Sequence, residues 1–401
     1  AALSIDSRSL KRSLNKAQAL GLIESRRVGA KEMFRFTHDR IQQATRSLVK
    51  NKTLQREILA TTGSLLLELG ERNKKETWIT TTGTRLLLMN SNLSSLKLAE
   101  LSLYAAKLSG DKVAFEDAAW FSDKGIGMLG DGCWSDSTYD LCLELHNISA
   151  ESHVCATHLK TAKKRARTIQ RFAKKAQDMF RGYNVLMDTL LTEKKFKEVI
   201  NEANGGLHAL GFGPAKPGKF HAFRTIINAL TLLKGRTAQG LTDLRPMEDK
   251  ADVKQAMHLV VNLGFAAWGI GDNLGLVQTA FKPLALTLDH GIGPLSAYAF
   301  NAYGGVLMHQ GKLEDGYDFA ELCLQTLDRD DVKHERACLA RVSALMGAIH
   351  FKKSLHEVVE EFRVAEQLGA SSGEFFHASV ALPAITTAGC MGLTTLTRLE
   401  M

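Results

Sequence analysis

From about residue 51 onward, apolar side chains recur at spacings of three and four: LQREILATTGSLLLEL, LKLAELSLYAAKL, FEDAAWFSDKGIGML and YDLCLELHNISAESH. That period is the signature of amphipathic helices. Strict alternation, the strand period, is confined to the first fifty residues. The helical stretches are separated by short breaks at Gly110-Asp111, Asp131-Gly132, Gly205-Gly206, Gly291-Ile292-Gly293 and Gly311-Lys312. Short breaks fold each helix back on the one before it. Units of roughly 35 to 45 residues with small residues at packing positions are the pattern of a helical-repeat solenoid. The clearest unit is LSAYAFNAYGGVLMHQGKLEDGYDFAELCLQTL, residues 295–327. There Tyr298, Ala302, Gly305 and Met308 read as one helix face, Gly311-Lys312 as the turn, and Tyr317, Ala320 and Leu324 as the next face. The arrangement is tetratricopeptide-like without that repeat's strict consensus. The loosest stretches are 211–219, GFGPAKPGK, and 235–249, GRTAQGLTDLRPMED.

Composition agrees. With 401 residues, 45% hydrophobic, 7% aromatic and only 6 prolines, the chain can bury a long helical core. Cys133, Cys142, Cys155, Cys323, Cys338 and Cys390 form no CxxC pair and read as buried thiols of a reducing, cytoplasmic compartment. No run of 18 uncharged apolar residues is present, so no membrane span is expected. The absence of an initiator Met and the polar end TTLTRLEM suggest a piece of a longer protein.

The first fifty residues differ in kind. Asp6-Ser7 offers an N-cap acceptor to a helix carrying Leu10, Leu14, Ala17 and Leu20, which Gly21 ends. Leu22-Ile23-Glu24 and Phe34-Arg35-Phe36 read as short strands around Val28-Gly29-Ala30. After Thr37 a second helix carries Ile41, Ala44 and Leu48. Helix, hairpin, helix is a winged-helix outline, and the strand-to-helix corner holds His38, Asp39 and Arg40.

The net charge is +8, and one segment accounts for it. KTAKKRARTIQRFAKK (160–175) carries Lys160, Lys163, Lys164, Arg165, Arg167, Arg171, Lys174 and Lys175 and no acid. The rest of the chain is near neutral, which argues against a protein that coats nucleic acid. Ala162, Ala166, Ile169, Phe172 and Ala176 line up as an apolar face. The segment reads first as an amphipathic solenoid helix with a solvated outer side, and second as a docking patch for an acidic surface.

With these elements placed, LxxxLxxAxxxGLI followed by FRFTHDRIQQATRSL resembles the end of the "predicted ATPase" module of very large signalling proteins. In that family a STAND-class, AAA-like P-loop ATPase is followed by a winged helix and a long tetratricopeptide-like region. The module often follows a serine/threonine kinase domain and often precedes a GAF domain with a histidine kinase or a nucleotide cyclase. The resemblance continues through 288–307, 316–327 and 375–400. It implies that His38 stands where a winged-helix histidine contacts bound nucleotide, with Asp39 and Arg40 capping the helix and latching neighbouring domains. It also implies ATP or ADP with Mg in the parent protein. The sequence has no G-x-x-x-x-G-K-[ST], so no cofactor and no ATP hydrolysis are expected of this chain.

Other patterns read as packing. GIGMLG (125–130) matches G-x-G-x-x-G but follows a helical stretch rather than a strand, so its glycines are expected to end a helix and let two helices approach. Cys142, His146, His153, Cys155 and His158 fit no familiar zinc spacing and are expected as polar groups at the rim of a helix pair, with no metal. Tyr298, Tyr303, Tyr317 and Phe319 read as repeat packing. No catalytic constellation assembles from local spacing.

These readings converge on an all-α chain. A winged-helix-like head (1–50) precedes a first block of helical repeats (51–210) and a second, tetratricopeptide-like block (211–401). The expected role is regulatory and non-catalytic, coupling an upstream nucleotide switch to a protein, a peptide or other domains of the same polypeptide. The alternative is a free-standing helical-repeat adaptor that holds an acidic protein or nucleic acid through the basic helix. A DNA-binding winged helix is weaker, because Asp39 to Val49 carries only Arg40 and Arg46 as basic residues.

Overall fold

The computed structural model describes residues 6–28, 31–72, 76–372 and 374–388, and it is all-α apart from one hairpin. The chain divides into two compact units between Phe172 and Ala173.

The first unit begins with the helix–hairpin–helix head. Helix α1 (Ser7–Ala19) starts at Asp6, whose carboxylate accepts from the N–H groups of Arg8 at 2.8 Å and Ser9 at 3.0 Å. Gly21, at φ +69°, ends it. Strands β1 (Ile23–Val28) and β2 (Lys31–Phe36) pair antiparallel with Ile23 opposite Phe36. The Thr37 hydroxyl donates to Gly21 O at 2.7 Å, tying the end of the hairpin to the end of α1. Helix α2 (Asp39–Leu48) follows. Ile23 is the one buried side chain described between 6 and 48; Leu10, Leu20, Leu22, Met33, Phe36 and Leu48 are exposed.

Six helices complete this unit: α3 (Lys52–Arg72), α4 (Thr77–Asn90), α5 (Ser95–Asp111), α6 (Phe115–Leu129), α7 (Tyr139–Cys155) and α8 (Leu159–Phe172). Each packs on the next, around Leu87, Leu98, Ala105, Phe121 and Leu145. Small residues set the spacing. A Cβ added to Gly63 of α3 or Gly83 of α4 would lie 2.9 Å from the other glycine's carbonyl oxygen. Gly125 of α6 has the same duty against Leu145, and Gly130 at φ +68° ends that helix. GIGMLG therefore does the packing work expected of it. Gly110-Asp111 falls within the last turn of α5, and the chain reverses just beyond, at Val113 (φ 61°).

The second unit holds α9 (Ala176–Thr192), α10 (Phe196–Ala209), α11 (Lys219–Leu233), α12 (Ala251–Ile270), α13 (Asn273–His290), α14 (Ser296–His309), α15 (Leu313–Leu327), α16 (Ala337–Gly347), α17 (Leu355–Ser372) and α18 (Phe375–Ala388). Its core gathers Met257, Leu259 and Leu263 with Leu207 on one side, and Leu284, Phe300, Cys323 and Leu345 on the other. Helix α10 packs on α12, so residues on both sides of position 210 share one core. Gly205-Gly206 proves not to be a break. It lies inside α10, where a Cβ on Gly206 would sit 2.7 Å from Leu259 Cδ1. The segment 235–249 is less loose than its composition suggests. Met247 N–H donates to Ile292 O at 2.8 Å, and Arg329 holds Thr242 O and Leu244 O.

The face expected of α14 is displaced. Ala299, Phe300, Tyr303, Gly304 and Leu307 are buried, whereas Gly305 is exposed. The helix is apolar nearly all round, so its pattern does not single out one stripe. Tertiary contact does, because Gly304 and Gly316 of α15 press backbone to backbone. The aromatic packing expected there holds for Tyr303 and Phe319, whose rings meet edge to face at 4.9 Å.

Candidate functional site

His38, Asp39 and Arg40 sit where the sequence placed them, at the β2–α2 corner. The His38 carbonyl accepts from the Ile41 and Gln42 N–H groups, opening the helix. All three side chains are exposed.

The basic run does not form one continuous helix. Helix α8 ends at Phe172, so Lys174, Lys175 and the expected face residue Ala176 follow the division between the units. Ala162, Ala166 and Ile169 are fully buried as expected, and Lys160, Lys164, Arg167 and Arg171 are exposed. Arg165 departs from the patch. It turns inward and donates to Asp123 of α6 at 2.9 Å. The same carboxylate receives the Ser149 hydroxyl at 2.7 Å and lies 3.0 Å from His153 Nε2. Burial by itself would raise the Asp123 carboxyl, but the hydrogen bonds from His153 and Ser149 and the charge of Arg165 outweigh it and hold the group below the usual carboxylate range.

The histidine and cysteine candidates divide into two groups. His153 and His158 approach through their Nδ1 atoms at 3.3 Å and belong with Asp123, while Cys155 is exposed. Cys142 and His146 meet Cys133 instead, a residue the sequence reading left out of the cluster. Two expectations are corrected here. His146 and His153 are buried rather than at a rim, and Cys133–Cys142 is a disulfide with Cα atoms 5.6 Å apart. The nine-residue separation is closed by the 3-10 turn Asp131–Trp134, which folds back against α7. His146 is stacked on Trp134, its Nδ1 has no hydrogen-bond partner, and burial followed by the charge of Arg165 lowers its pKa to about 4. The ligand atoms of Cys133, Cys142 and His146 all lie within 4.8 Å of one another. With the disulfide reduced they would offer two sulfurs and one nitrogen, one ligand short of a closed structural zinc site. Cys390 lies outside the described residues.

The second unit holds a site that sequence reasoning missed. The loop Gly211–Pro214, one face of α11 from Phe220 to Thr231 and one face of α13 border an open cavity of about 930 Å³. Its polar wall carries Lys282, Arg224 and His221, and its apolar wall includes Phe212, Phe220, Ile227 and Leu286; no Asp or Glu lines it. Lys282 is 8% exposed, and its ammonium donates to the Phe212 carbonyl. A Cβ built on Gly213 would stand 3.3 Å from His221 Nε2 and 3.6 Å from Lys282 Nζ, so the imidazole and the ammonium converge on that glycine. Burial, then the neighbouring Arg224, lowers Lys282 to about 8, and burial with the charges of Lys282 and Arg224 also lowers His221. A lysine followed by proline in the otherwise apolar run VQTAFKPLALTL was the one sequence signal available.

Two further concavities open beside Trp268, which is 74% exposed. One, of about 630 Å³, is shared with Tyr298, Arg336 and Leu339, and the other, of about 810 Å³, with Leu230, Tyr303 and Val306. Tyr298 thus lines a cavity as well as serving packing. No helix among the described residues is long and apolar enough to cross a membrane. No family model matches the chain, and no curated protein matches it.

Proposed function

We propose that the chain is a non-catalytic regulatory and protein-interaction region of a multidomain signal-transduction ATPase or kinase, acting in the cytoplasm. In this reading residues 1–50 are the winged-helix end of an ATPase module whose P-loop binds ATP or ADP with Mg, and the helices beyond form a tetratricopeptide-like superhelix. The observation that carries the reading is the head. Its apolar residues Leu10, Leu20, Leu22, Met33, Phe36 and Leu48 are exposed, and Ile23 is its single described buried side chain. Such a surface calls for a neighbour to cover it. His38, Asp39 and Arg40 are exposed on the same head. Binding of a partner in the concavities of the second unit would then shift the head between docked and released positions, a population shift with reciprocal coupling.

The test is to sequence the transcript upstream of Ala1 and, in the intact protein, replace His38 with Ala. An in-frame P-loop with faster loss of bound ADP supports the proposal. Unchanged ADP retention, or a start codon immediately upstream, refutes it. The adaptor reading keeps one specific observation, the exposed Lys160, Lys164 and Arg171 of α8. It requires a partner complex that weakens steeply with salt.

A further inference from the structure

We infer that the cavity between α11 and α13 is a binding site for a small organic anion, a carboxylate or phosphate head group attached to an apolar body. The argument starts from Lys282. An ammonium taken out of water is costly unless a carboxylate pairs with it. Lys282 is buried on α13, its recorded partner is a neutral carbonyl, and among the described residues no acid forms an ion pair with it. The fold then places the Arg224 guanidinium and the His221 imidazole on the same cavity, from the first turns of α11. Lys282 and Arg224 carry charge of one sign on one cavity and repel each other. An anion between them would turn that repulsion into attraction.

Two features limit the class of ligand. First, Phe220 and His221 of the first turn of α11 line the cavity, so the positive end of that helix lies beside it. Second, part of the wall is apolar, with Phe212, Phe220, Ile227 and Leu286 on the same loop and helices as the polar groups. At about 930 Å³ the space suits a molecule of metabolite or drug size. A bare inorganic ion would leave that wall wet, and a neutral apolar molecule would leave the cations unpaired. The inference stands on the cavity alone and does not depend on the regulatory reading above.

The experiment uses the full chain and calorimetric titration with phenyl phosphate and benzoate, with benzamide as the uncharged isostere of benzoate. The expected result is saturable binding of at least one of the two anions, at least tenfold tighter than benzamide. Lys282→Met and the solvent-side change Arg224→Gln should each weaken it at least tenfold. Arg224 is exposed, so that variant keeps the test valid if Lys282→Met fails to fold. The inference is overturned by no binding of either anion at millimolar concentration, by equal binding of benzamide and benzoate, or by affinities unchanged by Arg224→Gln. Capture of acidic peptides without any small-anion binding also overturns it, because the site would then be a docking surface.

Discussion

Two adjacent glycines in α14 give a test of helix packing in which chemistry is held constant. Gly304 and Gly305 lie in the same helix, so replacing either with alanine brings the same propensity gain of about 1 kcal/mol. At Gly305 the added methyl meets nothing within 4 Å, and Gly305→Ala should stabilise by that amount. At Gly304 it would stand 2.9 Å from Gly316 O and 3.2 Å from Phe319 Cβ. Neither atom can rotate away, because one is backbone and the other is the Phe319 methylene carbon, which the backbone fixes in place. Helix α15 must move as a body, and overpacking of that kind costs about 1–3 kcal/mol. The propensity terms cancel in the comparison, so Gly304→Ala should be less stable than Gly305→Ala by about 1–3 kcal/mol. Amide hydrogen exchange on peptides from α14 and α15 reads the local opening free energy without assuming that the whole chain unfolds in one step. Equal protection in the two variants would mean that the helices are not pressed together at Gly304, and the reasoning would fail.

The same physics reaches the titrating groups of the first unit. His146 has its folded pKa lowered to about 4, below its ordinary 6.5. Its unfolded form therefore takes up a proton first, and stability is full above pH 6.5 and declines as pH falls toward 4. The loss is roughly 3 kcal/mol. His146→Phe, which keeps a ring against Trp134, should flatten that part of a urea-midpoint profile, and an unchanged profile would contradict the assignment. Asp123 works in a lower window. Its folded pKa is depressed, so its contribution is present above the unfolded value of 3.8 and is lost as pH falls through the folded one. Arg165→Met removes one charge-assisted hydrogen bond to Asp123, should cost about 1.5–3 kcal/mol at pH 7, and should shrink the loss below pH 3.8 because the folded pKa rises toward the unfolded one; a stability–pH profile identical to wild type would count against the pair.

What can be read without coordinates is whatever depends on neighbours within about one helical turn. The period of three and four specifies the helices, and the Asp6 carboxylate specifies where α1 starts. The glycines at 21, 130, 291 and 311 end their helices at positive φ because a side chain there is disfavoured. Ala162, Ala166 and Ile169 identify the buried face of α8 because the rest of that helix is charged. Where the pattern is uniform, the information runs out. Helix α14 is apolar on nearly every side, and only the meeting of Gly304 with Gly316 decides which side turns inward.

The sites belong to the tertiary structure for a related reason. Asp123 and Arg165 are 42 residues apart, and Phe212 and Lys282 are 70 apart. No local energy distinguishes Arg165 from the outward-facing Arg167, or Lys282 from any other helical lysine. The sequence by itself determined that the chain is helical beyond the head, and it marked the cap at Asp6 and several glycine stops, since these rest on short-range hydrogen bonds and backbone sterics; it misplaced the break at Gly205-Gly206, which lies inside α10. The packing of distant helices alone decided which cation is buried, which cysteines meet and which cavity carries unpaired positive charge. Burial and electrostatics depend on everything within several ångströms in space, and chain order does not encode that distance.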